Sequence, residues 1–339
     1  MQIDKLSVKN ILIIKFKAFG DIILSQPAIR AVKESYPWAR VTVLINSEAE
    51  DILSGLDIAD EILLFNKKSG YPIVRDLELI ESVMGKKFDM VIDLYGNTRS
   101  ALLSFLSGAR YRVGMKCRGR HIFYNIKAET LSEIIYNLDV NLSIVKAAGA
   151  VTNSRSIGIF VPEEAKKYIE TFWNKEGLAE KKVIGINPFA SCMTRDWGEN
   201  NYISLARRLK EKGFEIILLW GPGQEKAVSK MLENLSGAAM PAPKTSVKQL
   251  GALFNKLSVV VTPTTFTQHL GVAMGTPTVT ICGATDQKAW SPAGNKKHCL
   301  LQAELDCMPC EKTHCEDFKC MKAISVDEVL SKVLRMAEK

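Results

Sequence analysis

The sequence predicts an α/β protein built from two open, mostly parallel sheets. Three observations predict it. Short apolar runs rich in β-branched residues alternate with segments of helical spacing, the pattern of βαβ units. That pattern restarts near residue 180. The chain has 339 residues, 47% hydrophobic and 24% charged, enough apolar mass for one or two cores.

The elements follow in order. "ILIIKF" (11–16) is a buried strand, and "KAFGDI" is the turn after it. "ILSQPAIRAVKESYP" has helical spacing through Ile23, Ile29 and Val32, and Pro37 ends it. Strands are expected at 40–46, 60–65, 88–94 and 111–115, with a helix ending near Gly108. A charged helix within 161–181 marks the junction. The second half gives a strand and loop at 181–190 and strands at 214–221, 258–263 and 276–283. Helices fall at 201–213, with Gly213 at its end, and at 247–257. "SVDEVLSKVLRMAEK" (325–339) is an amphipathic helix with Ser325 as N-cap. The domains are therefore 1–165 and 180–324. The helix 325–339 stands apart as a C-terminal element that packs back on the first domain.

Net charge is +8, an excess that fits an anionic ligand, a membrane surface or nucleic acid and selects none. The apolar run Ile11–Ile14 is far too short for a signal segment or a membrane span. A cytosolic protein is expected. Eight cysteines are too sparse for a secreted disulfide scaffold.

In open α/β sheets, ligands bind beyond the carboxyl ends of the strands. The loops there hold the candidates. After the first strand, Gly20 permits a tight turn, and Asp21 is either a helix N-cap or a general base. That loop lacks the repeated glycines of a dinucleotide fingerprint. In "INPFASCMTRDWGENNY", Thr194 and Arg195 precede a helix. Arg195 is either a phosphate ligand or a solvated side chain packed on Trp197. Glu225 follows "WGPG" and either accepts from ribose hydroxyls or complements a helix dipole. In "VVVTPTTFTQHLGVAMGTP", a helix starting near Thr267 offers an N-terminal anion site with His269 in its first turn. Gly271, Ala273 and Gly275 suggest close approach of helix to sheet or to ligand.

Taken in order, "KFKAFGDIILSQPAIRAVKESYP", "DLYGNTRSALLSFLSGARYRVGM", "NPFASCMTRDW", "LLWGPGQE" and "HLGVAMGTPTVTICGATDQKAWSPAG" resemble the heptosyltransferases of glycosyltransferase family nine. Those enzymes transfer heptose from ADP-heptose to the lipopolysaccharide inner core. The resemblance spans nearly the whole chain. It implies the GT-B architecture, two Rossmann-like domains with parallel sheets facing a central cleft. It implies an acceptor-binding first domain and a nucleotide-sugar-binding second domain. Asp21 matches the family's general base for an inverting displacement, and Arg195 a cation that neutralises the departing diphosphate. Glu225 matches the ribose-binding carboxylate, and Thr265 and His269 the diphosphate turn. Thr194, Thr264 and Phe266 complete the donor-side candidates. Gly20, Asn97, Arg99 and Arg120 are those on the acceptor side. No paired carboxylates suited to a divalent metal are seen, so no catalytic cofactor is expected. The sequence departs from the family at Thr264 and Phe266, where the family has Asp and Gly. That leaves room for a different nucleotide-sugar donor, a protein acceptor, or a binder with impaired catalysis.

"CMPCEKTHCEDFKC" places Cys307, Cys310, Cys315 and Cys320 within 14 residues, with His314 as a spare. Structural zinc or iron, two disulfides, and free thiols are the readings, and the spacing favours metal. Basic "RYRVGMKCRGRH" (110–121) would meet acceptor phosphates or the inner face of the inner membrane, or be a solvated loop. The partners expected are thus an ADP-heptose-type donor, a lipid-linked oligosaccharide acceptor and peripheral membrane contact, without nucleic acid.

Overall fold

The computed structural model describes residues 2–16, 18–66, 70–117, 119–129, 133–292 and 294–338. Lys17 and Arg118, which fall in two of the loops above, and Lys339 lie outside the described residues. The chain forms two compact units, 1–160 and 161–339.

The first unit runs β1 (Asn10–Ile14), α1 (Phe19–Ile23), α2 (Gln26–Ser35), β2 (Arg40–Asn46), α3 (Glu50–Leu53), β3 (Glu61–Phe65), α4 (Pro72–Gly85), β4 (Met90–Asp93), α5 (Thr98–Leu106), β5 (Tyr111–Met115), β6 (Ile126–Ala128) and α6 (Asn137–Ala147). Its sheet has the order β3-β2-β1-β4-β5-β6, with every pair parallel. This is the doubly wound order. Ile11 through Ile14 are fully buried, because helices cover both faces of the sheet and a central strand must be apolar on both sides. The helix read through Ile23, Ile29 and Val32 is two helices. Pro27 stands in the first turn of α2. A proline ring there clashes with the carbonyl four residues back and supplies no N–H, so the chain breaks at Leu24–Ser25.

The second unit runs α7 (Glu163–Lys175), β7 (Val183–Ile186), α8 (Glu199–Glu211), β8 (Glu215–Leu218), α9 (Glu225–Leu235), β9 (Met240–Pro241), α10 (Val247–Phe254), β10 (Val259–Pro263), α11 (Phe266–Met274), β11 (Thr278–Cys282), α12 (Gln287–Trp290), β12 (His298–Gln302), α13 (Lys319–Lys322) and α14 (Val326–Ala337). Its order, β12-β11-β10-β7-β8-β9, repeats the first with every pair parallel. Gly271 is a close-approach position. A Cβ there would stand 2.2 Å from Thr278 Cγ2, so the small residues of α11 serve helix-to-sheet packing. Gly275 ends that helix at φ 71°, the left-handed cap that favours glycine.

Ser325 caps α14 by accepting from the Glu328 N–H. Val329, Leu330 and Val333 enter one core with Tyr202, Leu205 and Leu209 of α8. The C-terminal helix thus joins the core of its own unit: the apolar stripe expected to pack back on the first domain packs on α8.

Candidate active site

In the second unit, three loops at the carboxyl ends of β7, β10 and β11 come together. Gly283, just past β11, explains how tightly. A Cβ on it would lie 1.8 Å from the Thr194 carbonyl oxygen, so only glycine lets the 191–195 loop lie on the strand end. Arg195 is anchored there. Its Nε donates to Thr285 Oγ1 at 3.2 Å, and its Nη1 donates to the Thr264 carbonyl at 3.3 Å and to Ser191 Oγ at 3.5 Å. This guanidinium is positioned by two loops, and the reading of a solvated Arg on Trp197 does not describe it. Trp197 is buried and donates to the Ile324 carbonyl.

Thr265 stands at the N-cap of α11, yet its side chain makes no cap hydrogen bond. Its hydroxyl instead joins a cluster with Thr262 and Thr267, at 3.3 and 2.9 Å. Asn187, just past β7, donates to all three, at 2.8 Å to Thr267 Oγ1 and 3.2 Å to Thr265 Oγ1. The sequence reading missed Asn187. Its one signal is its place as the first residue beyond a central strand.

His269 is 4% exposed. Burial first, and the Arg195 charge second, hold its pKa down at about 4. At neutral pH it is an uncharged imidazole that offers one N–H and one lone pair, and Arg195 is the cation of the group. His269 Nδ1 and Gln268 Oε1 are buried without a hydrogen-bond partner, and the buried Thr264 hydroxyl faces the Cys282 thiol. Such orphans are costly and rare in native interiors. Two of them on adjacent residues in the first turn of α11 leave unmet polar capacity there. Phe266 is half-buried as the first residue of α11, and the Trp290 ring lies 5.8 Å from His269.

Two donor-side candidates are placed differently. Thr194 is buried, and its hydroxyl donates to the Lys312 carbonyl at 2.5 Å, which fixes the loop. Glu225 is exposed as the first residue of α9, where its carboxylate complements the helix dipole.

In the first unit, Asp21 is the third residue of α1, and Ala18 holds the N-cap position. The N-cap reading of Asp21 is therefore replaced by a half-buried carboxylate in the first turn, beside buried Gly20. Behind this loop, buried Lys15 donates to the Leu94 carbonyl at 2.8 Å and to Asn141 Oδ1 at 3.0 Å. Asp93 is fully buried and accepts from the Tyr95 and Gly96 N–H groups and from the Tyr124 hydroxyl. Burial raises its pKa. The sequence reading singled out neither Lys15 nor Asp93. Asn97 is the N-cap of α5, in a reciprocal capping box with Ser100. Arg99 pairs with Asp76 and lies 4.2 Å over the Phe65 ring. Arg120 opens a short 3-10 helix, Arg120–Phe123.

The four clustered cysteines are free thiols of unlike environment. Cys307 is exposed, Cys310 and Cys315 are intermediate, and Cys320 is buried in α13, inside the core of its unit. Among the described residues, no group of three His, Cys, Asp or Glu side chains is set to hold a metal. The expected tetrahedral site is not assembled among them. Burial raises the Cys320 pKa, and Cys310 and Cys315 add to it. The segment is also stitched elsewhere: the Cys310 and Glu311 N–H groups both donate to the Ala284 carbonyl. The residues as placed do not fit the group.

The chain's similarities to known proteins bear on these loops. The family model for glycosyltransferase family 9 (heptosyltransferase) matches residues 77–321. Lipopolysaccharide heptosyltransferase 3 of Escherichia coli is 24% identical over 287 residues, 81% of this chain and 84% of that one. A family 9 glycosyl transferase from Veillonella parvula has the same fold at a TM-score of 0.85 and 20% identity, covering 100% of this chain and 99% of that one. The E. coli ADP-heptose lps heptosyltransferase II aligns at 0.77 and 20% identity, covering 97% and 98%. The fold is GT-B, and the chain belongs to glycosyltransferase family 9, the heptosyltransferases.

Proposed function

We propose that this glycosyltransferase moves a heptose, or a related sugar, from ADP-heptose to a lipid-linked inner-core acceptor of lipopolysaccharide, with inversion. The observation that supports this most is the group at the start of α11: anchored Arg195, and neutral buried His269 with its Nδ1 unpartnered. It suits a diphosphate. Asp21 takes the proton of the acceptor hydroxyl. The oxygen attacks the anomeric carbon, the bond from that carbon to the diphosphate breaks, and ADP departs with its electron pair. Arg195, an N–H of His269 and the α11 N-terminus stabilise the charge that develops. Glu225 addresses the ribose and Thr265 the diphosphate. Gly20, Asn97, Arg99 and Arg120 are the acceptor-side candidates. Catalysis needs no bound metal in this reading, and the acceptor draws the enzyme to the inner face of a membrane.

One observation favours a second reading, a different donor sugar. Thr264 and Phe266 occupy the turn where the family has Asp and Gly, and the half-buried Phe266 ring stands at the first position of α11. Thermal unfolding with ADP, UDP, GDP and their sugars separates the two. ADP and ADP-heptose should raise Tm; a shift with another nucleotide alone overturns the first reading. Asp21→Asn should abolish transfer and leave the donor-induced shift intact. Retained turnover removes Asp21 from the role of base.

A further inference from the structure

The first unit carries an apolar surface that nothing described above uses. On α4, Ile73 is 75% exposed and Leu77 60%. With Met84, also exposed, they form one stripe at helical spacing, beside the buried stripe Leu79 and Val83 that enters the core. The stripe continues onto α5. The Arg99–Asp76 ion pair joins the two helices, and α5 exposes Leu102 and Phe105, at 41% and 50%. It continues again onto the 3-10 helix, where the Phe105 and Phe123 rings meet at 5.9 Å and Ile122 is 69% exposed. Tyr71, an aromatic with a polar tip, stands exposed at the start of α4. Monomeric proteins rarely expose so much contiguous apolar surface without a partner.

Charge says which partner. Between Leu94 and Ala128, a stretch that includes α5 and the 3-10 helix, the chain has seven Lys and Arg and no Asp or Glu. The Arg112 guanidinium lies 5.5 Å over the Phe105 ring, within the patch, and Arg120 opens the 3-10 helix beside Ile122. Asp76 is engaged by Arg99. By helical spacing, Glu78 and Glu81 flank Val74 on the outer side of α4 and bound the patch. Apolar side chains for insertion, an aromatic at the edge and basic side chains on the α5 and 3-10 side, with the unpaired acids of α4 kept to one border, are the features of a surface that docks on anionic lipid.

We propose that the face formed by α4, α5 and the 3-10 helix docks the protein on an anionic phospholipid bilayer. It rests on the proposed function only in that a lipid-linked acceptor lies in such a bilayer. The bilayer alone, without acceptor, is the occupant.

The experiment is co-sedimentation of the full chain with vesicles of phosphatidylcholine, with or without about one-third phosphatidylglycerol, at low and high salt. Binding should require the anionic lipid and fall with salt. Ile73→Ser/Leu77→Ser and Leu102→Ser/Phe105→Ser should each weaken it at least about tenfold. The ADP response of both should stay unchanged, and so should the thermal unfolding of the Ile73→Ser/Leu77→Ser variant, whose two side chains are mostly solvent-facing; that variant keeps the test clear of the packing Phe105 shares with Phe123. Equal binding to both lipids, or by wild type and variants, overturns the proposal. So does a dimer in solution that the variants dissolve while wild type ignores vesicles; the patch would then be a self-interface. Vesicle binding without any transferase activity would overturn the functional reading and leave this one standing.

Discussion

His269 carries its meaning in its environment. Its pKa is held at about 4, whereas in an unfolded chain it is about 6.5. As pH falls below about 6.5 the unfolded chain takes up a proton that the folded one refuses until about 4. Stability is therefore full above about 6.5 and is lost progressively down to about 4. His298, held at about 4 by burial and then by Lys297, acts in the same window. Each is worth on the order of 2–3 kcal/mol across it. Unfolding temperatures measured from pH 7.5 to 4.5 should fall, and His269→Gln should flatten the slope by roughly half. A variant as pH-sensitive as wild type would mean that His269 is solvated and not buried. The residue types of the candidate group were readable from the chain, and the structure brings the Arg195 loop to the turn that carries Thr265 and His269, with Arg195 donating to the Thr264 carbonyl. What spacing could not reveal was who holds whom. Thr194 is bound to the Lys312 carbonyl, and Asn187 ties three threonines. Both relations span more than 70 positions of sequence.

At the scale of elements, legibility followed burial. The central strands announce themselves because both faces are covered and every residue must be apolar; Val259 through Val261 are fully buried. Of the four edge strands, β3 was read, and β6, β9 and β12 were not. β9 has two residues and β6 three, too short for a pattern of period two to register. The break between α1 and α2 was written in Pro27 but outvoted by apolar spacing on either side of it. Asn97 tests the difference between element and site. Its Oδ1 accepts from the Ser100 N–H at 2.8 Å, and its N–H donates to Ser100 Oγ. Asn97→Ala should cost about 1 kcal/mol, and Asn97→Asp, which keeps the cap, close to nothing. If both variants keep stability in that order and both lose transfer, Asn97 also touches the acceptor. If Asp restores activity along with stability, its part is the cap alone.

At the scale of the whole molecule, one strand order is used twice, and each use sets its candidates beyond carboxyl strand ends: Asp21 after β1, Arg195 after β7, Thr264 after β10. The second unit has a core of its own. Its buried cluster runs from Ile184 to Ala337 and is built from its own sheet, α8, α9, α13 and α14. Every partner identified for Arg195, Asn187 and the threonine cluster also lies within residues 161–339. If the α11 group is a nucleotide diphosphate site, residues 161–339 produced alone should therefore unfold cooperatively and keep an ADP-induced rise in Tm. Residues 1–160 should show no response to ADP. Deleting 325–339 from the second unit should abolish its folding, because Val329, Leu330 and Val333 would leave α8 exposed at several apolar positions, a loss of several kcal/mol. A folded second unit that ignores ADP, while the full chain responds, would place the nucleotide's main contacts outside the α11 group and overturn the assignment of His269 and Arg195 to the diphosphate.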